Sequence, residues 1–233
     1  MLIGVVASLW RYPVKSMLGE RCDALQLDQR GVVGDRLYAV RDADGKLGSG
    51  KTTRRFRRMD GHFDFRARSV EGVPRIAFPD GTTLDGDDPT IHARLSERLG
   101  LPVTLSREAE VSHFDASAIH LLTTASLRTV GALLPHVEID ERRFRPNVVL
   151  ATEGDGFLED QWRGRDLLVG DAVRLRVTEQ TERCVMVTMA QDDLLDEPTV
   201  LRELARVNDM CIGVYADVVI PGAIHAGDHV HLV

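Results

Sequence analysis

Cysteine is scarce in this chain of 233 residues: Cys22, Cys184 and Cys211 are all there is, and no CxxC pair occurs. That excludes a secreted disulfide framework, a cysteine-built structural zinc site and a ferredoxin-type cluster, which needs four thiolates at set spacing. A reducing compartment fits. No run approaches the roughly 18 apolar residues of a membrane span, and the apolar opening MLIGVVASLW lacks a basic flank and a cleavage site. It reads as the first strand of a cytoplasmic protein. A general excess of positive charge is missing as well, since the net charge is -7; this argues against nucleic acid as a partner, although the run Arg54-Arg55-Phe56-Arg57-Arg58 can hold a small anion. There is no internal repeat, no low-complexity segment and no GxGxxG placed to bind a dinucleotide.

The chain is rich in short Val/Leu segments divided by turn signals such as Asp44-Gly45, Pro79-Asp80-Gly81, Gly170-Asp171 and Gly227-Asp228. Strands are expected over residues 2–10, 23–27, 36–41, 103–106, 119–122, 147–151, 172–179, 185–189, 213–219 and 229–233. Three helices are expected: one beginning at Asp88-Pro89 with Ile91, Leu95 and Leu99 on one face, one over 124–134, and one following Asp196, with Pro198 near its first turn and Val200, Leu201, Leu204 and Val207 inward. The pattern predicts a mainly β protein with a few helices, built of barrels rather than a doubly wound sheet. The polar stretch SREAEV divides it into domains at 1–107 and 108–233.

Residues 45 to 52, GKLGSGKT, satisfy the phosphate-loop pattern GxxxxGK[ST]. That pattern works only where a buried strand feeds a helix whose N-terminal amides face the phosphates. Here Asp42-Ala43-Asp44-Gly45 reads as a hairpin turn, and TTRRFRRMDGHF carries no apolar helical stripe. Nucleotide hydrolysis is set aside. His225, His229 and His231 crowd the C-terminal strand without the further ligands a zinc site would want, and read as solvated.

Other stretches converge. LWRYPVKSMLGE (9–20), GVVGDRLYAV (31–40), TTR (52–54), LLTTASL (121–127), FRPNVV (144–149), ERCVMVT (182–188) and IPGAIHAGDHV (220–230) stand in the order seen in MOSC proteins. Over nearly its whole length the chain resembles that family, an N-terminal β-barrel domain followed by the MOSC domain. It is most similar to the branch holding the amidoxime reducing component and bacterial N-hydroxylated-purine reductases.

The resemblance implies a molybdenum cofactor of the molybdopterin type. Lys15, Ser16, Arg36 and Arg54 would face its phosphate and Arg145 and Asn147 its pterin, with Thr52, Thr123, Ser126 and Arg183 completing the cofactor-binding set. The residue types suit such a ligand, because Lys is a point charge, Arg a planar multi-donor, and Asn both donates and accepts. Taken singly, Arg36 and Arg54 are equally strand-end charges, and Asn147 a turn residue. Cys184 would be the metal's one protein ligand, as a thiolate favoured by Arg183 and held by a strand over 185–189, whereas Cys22 and Cys211 read as core fillers. Asp160, with Trp162, falls on an acidic-x-tryptophan segment beside the pocket and would act in catalysis or simply carry a packed indole.

The implied activity is reduction of small N-hydroxylated or N-oxygenated compounds; the alternative is a module that carries or sulfurates the cofactor without turnover. Relatives often place two threonines and a proline after the cysteine, where this chain has Val187-Thr188-Met189-Ala190-Gln191, so substrate-side details differ. With no iron-sulfur or flavin motif, electrons are expected from a separate ferredoxin or flavoprotein reductase, docking on basic residues such as Arg55, Arg57, Arg58 and Arg163.

Overall fold

The segment Ile119–Thr123 is buried on both faces, a pattern that an alternating, half-solvated strand cannot satisfy. The computed structural model, which describes residues 1–233, shows why. Ile119–Thr123 lies parallel to Val148–Ala151, with Leu121 opposite Val148 and Thr123 opposite Leu150. Parallel neighbours need a crossover, and the helix Thr124–Leu133 lies within it. Ile119, Leu121, Val148 and Leu150 point into one core. Leu122 and Val149 point the other way, into a second core with Val130, Phe144, Val200, Leu204 and Ile212. Two helices, Thr124–Leu133 and Thr199–Asn208, thus cover the strands' outer face.

Contacts divide the chain into two units, one formed by residues 1–10, 21–33 and 116–233 and the other by residues 11–20 and 34–115. In the first unit, Leu2–Arg11 pairs antiparallel with His229–Leu232 on one side and with Val148–Ala151 on the other. Continuing through Ile119–Thr123, Cys211–Ile220, Val173–Glu182 and Asp166–Val169, these pairings close a seven-stranded barrel. A three-stranded sheet of Gly31–Val32, Ala24–Asp28 and Gly222–His225 adds to the unit. Closure leaves the barrel strands no open edge.

The second unit has a four-stranded sheet, ordered Val103–Arg107, Tyr38–Asp42, Leu47–Ser49, Phe56–Arg58, and a three-stranded meander over Arg66–Val70, Val73–Ala77 and Thr83–Asp85. Ile91 and Leu95 of the helix Ile91–Leu99 join Val14, Met17, Val40, Phe65, Ile76 and Leu105 in its core. Gly100 ends that helix in the left-handed conformation. The mainly β architecture with three helices is as the sequence predicts.

One expectation fails. Residues 185–189 are not a strand; Val185–Val187 form a short 3-10 helix N-capped by Cys184. The Val-Met-Val run has strand propensity, but Thr188 donates both its amide (3.0 Å) and its hydroxyl (2.8 Å) to the carbonyl of Val185, which coils the segment. The loop over GKLGSGKT runs from a turn with Gly45 at φ 77 through the strand Leu47–Ser49, and the next element after Lys51 is the strand Phe56–Arg58, not a helix.

Gly213 shows how tightly the barrel is built. It has φ 79, and a Cβ there would lie 2.3 Å from His120 Nε2 and 2.7 Å from the carbonyl oxygen of Leu121. Gly213→Ala is expected to lower unfolding free energy by roughly 2 kcal/mol or more, read from the urea midpoint at unchanged slope.

Candidate functional site

Non-glycine residues with positive φ mark sites where surrounding structure holds the backbone against its preference. There are seven: Ser16, Arg36, Glu71, Arg145, Asp192, Asp209 and Met210. Ser16, Arg36 and Arg145 are three of the residues that the sequence singles out as cofactor-binding. Each such residue costs of order 1 kcal/mol, so the neighbourhood must over-determine it.

In the second unit, Lys15 is buried, and its ammonium donates to the carbonyl of His113 (2.8 Å) and to Asp115 Oδ1 (2.9 Å). Burial pushes the Lys15 pKa down, with Arg36 and Arg55 adding to the effect and Asp115 opposing it. Ser16 is buried and donates its hydroxyl to the carbonyl of Gly48 (2.9 Å). Arg36 pairs with the fully buried Asp35, which also accepts the amide of Tyr12 (2.7 Å), and it lies over the Tyr12 ring. Although burial opposes its charge, Asp35 outweighs that and holds the Arg36 pKa above the ordinary value. His113 is driven down to about 4 by burial and by Arg41, so it is neutral at pH 7. Its Nδ1 faces the carbonyl of Arg36 (3.2 Å) and its Nε2 faces Arg41 (3.1 Å), an arrangement that suits Nδ1–H as donor and Nε2 as acceptor. Thr52 and Arg54 are exposed; the Thr52 hydroxyl accepts the amide of Arg58 (3.2 Å). The expected docking cations are engaged with their own chain: Arg57 with Asp42 and Asp44, and Arg58 with Asp60. Arg163, in the first unit, is exposed.

In the first unit, residues 140–144 are anchored one after another. Asp140 caps the 3-10 helix Glu141–Phe144. Glu141 Oε1 accepts from the Ser8 hydroxyl and the Trp10 indole, both at 2.6 Å, and Arg142 pairs with Asp140 and Asp193. Arg143, buried, donates to the carbonyl of Leu195 (2.9 Å), and its pKa is lowered by that burial. The Phe144 carbonyl accepts from Arg183 (2.7 Å). Arg145 then follows at φ 53, buried, as the C-cap of that anchored 3-10 helix. Arg183 therefore ties the segment before Arg145 to the segment carrying Cys184, a half-buried free thiol.

Asn147 is committed inside the barrel: its Oδ1 accepts the amide of His120 (3.1 Å) and its Nδ2 donates to the carbonyl of Trp10 (3.3 Å). Asp160 accepts from Asn208 (2.9 Å) through one oxygen, while Oδ1 is buried with no partner. Trp162 packs in the barrel core. Cys22 is half-buried and Cys211 buried.

Thr123 and Ser126 do not point to open space. Both donate to Glu159, at 2.6 and 2.7 Å, and Thr123 also accepts the Ser126 amide as N-cap of the helix Thr124–Leu133. Glu159 is fully buried. Burial raises its pKa above the ordinary 4.5, against the two hydroxyls. This carboxylate escaped the sequence because it stands beside Asp160 in a stretch, FLEDQW, that reads as a polar loop; only its register against Trp162 and Leu158 hints at an inward position.

One unit is a closed mixed barrel carrying a half-buried free thiol and the positive-φ Arg145, and the other is a β unit carrying a buried lysine. The model of the MOSC domain matches residues 108–231, and that of the MOSC N-terminal beta barrel domain matches residues 3–113. The chain belongs to the MOSC domain family. It is 25% identical to mitochondrial amidoxime reducing component 2 of Macaca fascicularis and to that of Homo sapiens, the aligned part covering 98% of this chain and 83% of each relative. The crystal structure of the YUAD protein from Bacillus subtilis has a similar fold, with TM-score 0.54 at 14% identity, covering 97% of this chain and 93% of that one.

The buried Glu159 sets a pH signature. Because the folded state keeps its proton to higher pH than the unfolded chain does, the folded state binds more protons above pH 4.5, and stability falls as pH rises through that window. Glu159→Gln, a neutral side chain that the two hydroxyls can still meet, is expected to gain stability relative to wild type as pH rises from about 4.5 to 8. Parallel midpoint-against-pH curves for the two proteins would contradict this.

Proposed function

We propose that this protein is a molybdenum-cofactor-dependent reductase of small N-hydroxylated or N-oxygenated compounds. The carrying observation is Cys184: a half-buried free thiol at the head of a short helix, whose neighbour Arg183 grips the turn that strains Arg145. A core-filling cysteine needs no such scaffold. The similarity to proteins named amidoxime reducing components supports the same reading.

The donor chemistry fits a pterin dithiolene cofactor. Cys184 is a soft ligand for a thiophilic metal and would bind as the thiolate. Arg145 offers donors from a rigid backbone to the pterin edge. Lys15 and Ser16 supply a cation and a hydroxyl for the terminal phosphate, and Ser16 keeps its lone pairs after donating to Gly48. Arg36 is already neutralised by Asp35, so its part would be geometric. Asn147, Thr123 and Ser126 hold the frame: Asn147 the strand ends, the two hydroxyls Glu159.

When bound, the cofactor would supply two-electron oxygen-atom chemistry, the hard part that no side chain can perform. The chain's own residues position and gate it. Asp160, with one oxygen held by Asn208 and the other unpartnered, has an acceptor to offer the hydroxyl of an N–OH group. His113, neutral at pH 7, and the buried Lys15, which holds the His113 carbonyl and Asp115, keep the phosphate side fixed. Residence in the cytoplasm remains part of the proposal; no helix is long and apolar enough to cross a membrane.

Cys184→Ser, reconstituted with cofactor, is expected to keep its fold and lose benzamidoxime reduction driven by an artificial reductant by two orders of magnitude or more, roughly the cost of one essential ligand. Near-normal turnover with bound molybdenum would remove Cys184 from the mechanism. Wild type that binds cofactor but never turns over would make the protein a carrier.

Electron supply gives a second test. With NADH or NADPH alone, the loaded protein is expected to be inactive toward an amidoxime, and to become active on adding a ferredoxin or flavoprotein reductase system. Turnover with a nicotinamide and no added carrier would contradict a donor supplied in trans.

A further inference from the structure

Three cations converge on one ring in the second unit. Around the centroid of Phe56 lie Lys15 Nζ at 5.0 Å, the Arg55 guanidinium at 5.2 Å and Lys51 Nζ at 5.6 Å. In a protein of net charge -7, such a cluster is not a by-product of composition. A ring's quadrupole offsets part of the repulsion; the rest calls for an anion.

The anion present is Asp115. Lys15, with only 3% of its side chain exposed, holds Asp115 Oδ1 at 2.9 Å, while 57% of the Asp115 side chain remains open to solvent. Burial opposes ionisation of this carboxyl, but Lys15, Arg36 and Lys51 outweigh it and hold its pKa below the ordinary value. Arg55 bonds the carbonyls of Ser112 and Phe114, and Lys15 that of His113. The cations have thus drawn an irregular segment, residues 112–115, over themselves, with its carboxylate as counterion. One carboxylate faces three cations, since Arg36 is matched by its own partner, Asp35. Two positive charges are left over, and a phosphomonoester dianion in place of the aspartate would match two of the three cations instead of one.

We propose that Asp115 is a built-in competitor for the phosphate site: its carboxylate occupies the Lys15–Lys51–Arg55 cluster until a phosphomonoester displaces it. This rests on the reading of Lys15 as a phosphate-binding residue and deepens it. The proposal also gives a role to Lys51, the lysine of GKLGSGKT. It binds anions through side-chain charge beside Phe56, without the strand-to-helix loop that a nucleotide phosphate requires. The exchange lowers the net charge of the three-cation cluster from about +2 to about +1, since a dianion replaces a monoanion whose side chain is already 57% exposed. Phosphate affinity is therefore set by a difference between two anions, a tax of the kind any occupied binding site imposes.

The test titrates inorganic phosphate into wild type, Asp115→Asn, Lys51→Ala and Lys15→Ala by calorimetry at fixed ionic strength. Removing the competitor is expected to tighten phosphate binding about tenfold or more in Asp115→Asn, and removing a cation to weaken it by a similar factor in Lys51→Ala. Lys15→Ala is expected to abolish binding. Unchanged binding in Lys15→Ala would overturn the phosphate reading itself. Loss in Lys15→Ala with equal or weaker binding in Asp115→Asn would overturn the competitor alone. Hydrogen exchange on wild type needs no variant: phosphate is expected to speed exchange at residues 112–115 as Asp115 lets go, and slowed or unchanged exchange there would overturn the displacement. Cofactor retained per chain on purification separates the two phosphate sources. A rise in Asp115→Asn matching that for free phosphate supports the cofactor's phosphate as the natural occupant; retention unchanged despite tighter free phosphate overturns that occupant.

Discussion

Everything at the thiol-bearing unit depends on the first strand closing the barrel. Leu2–Arg11 is paired on both sides, to Val148–Ala151 and to His229–Leu232, so the ends of the chain and its middle are bound into one cylinder. That closure decides where residues 140–147 go. Trp10 and Ser8, carried by the same strand, both donate to Glu141, and the Trp10 carbonyl accepts the side-chain amide of Asn147. The turn is held from both ends, and Arg145 within it has positive φ. The strain is small beside the pairing energy of a closed sheet, and the sheet retains it.

A second economy of the fold is the use of carboxylates as fasteners. Asp35 fixes Arg36, Glu159 gathers Thr123 and Ser126 at a helix N-terminus, and Asp115 covers a knot of cations. The three differ in exposure, and so in what they can do. Asp35 and Glu159 are sealed: breaking their contacts would strand a buried polar group, which is costly. Asp115 is open to solvent on one side, so its own carboxylate is not sealed, whereas the Lys15 it pairs with is buried.

Local pattern makes much of this legible. The strands at 119–122, 147–151 and 229–233 and all three helices are readable from apolar spacing and turn residues, within a residue or two at their ends. Cys184, Lys15, Ser16, Arg36 and Arg145 stand out by motif. What cannot be read is whatever depends on distant pairing. Nothing near Leu2 announces that its strand belongs beside the one starting at Val148. The coil at Val185–Val187 is hidden because β-branched residues favour strands until Thr188 supplies two bonds to one carbonyl. Glu159 and Asp115 sit in polar stretches where a carboxylate carries no local sign of burial or of a cation across the fold. Lys51 is masked by its motif, whose failure as a nucleotide loop draws attention from the charge itself.

The central claim is that Cys184 binds the metal of a cofactor, and alkylation footprinting tests it on unmodified protein. Iodoacetamide labelling followed by peptide mass analysis compares cofactor-loaded and cofactor-free samples, with the half-buried Cys22 as internal reference. The account predicts that Cys184 is protected in the loaded protein and becomes reactive when the cofactor is removed, while Cys22 labels equally in both. Equal labelling of Cys184 in the two states would contradict it.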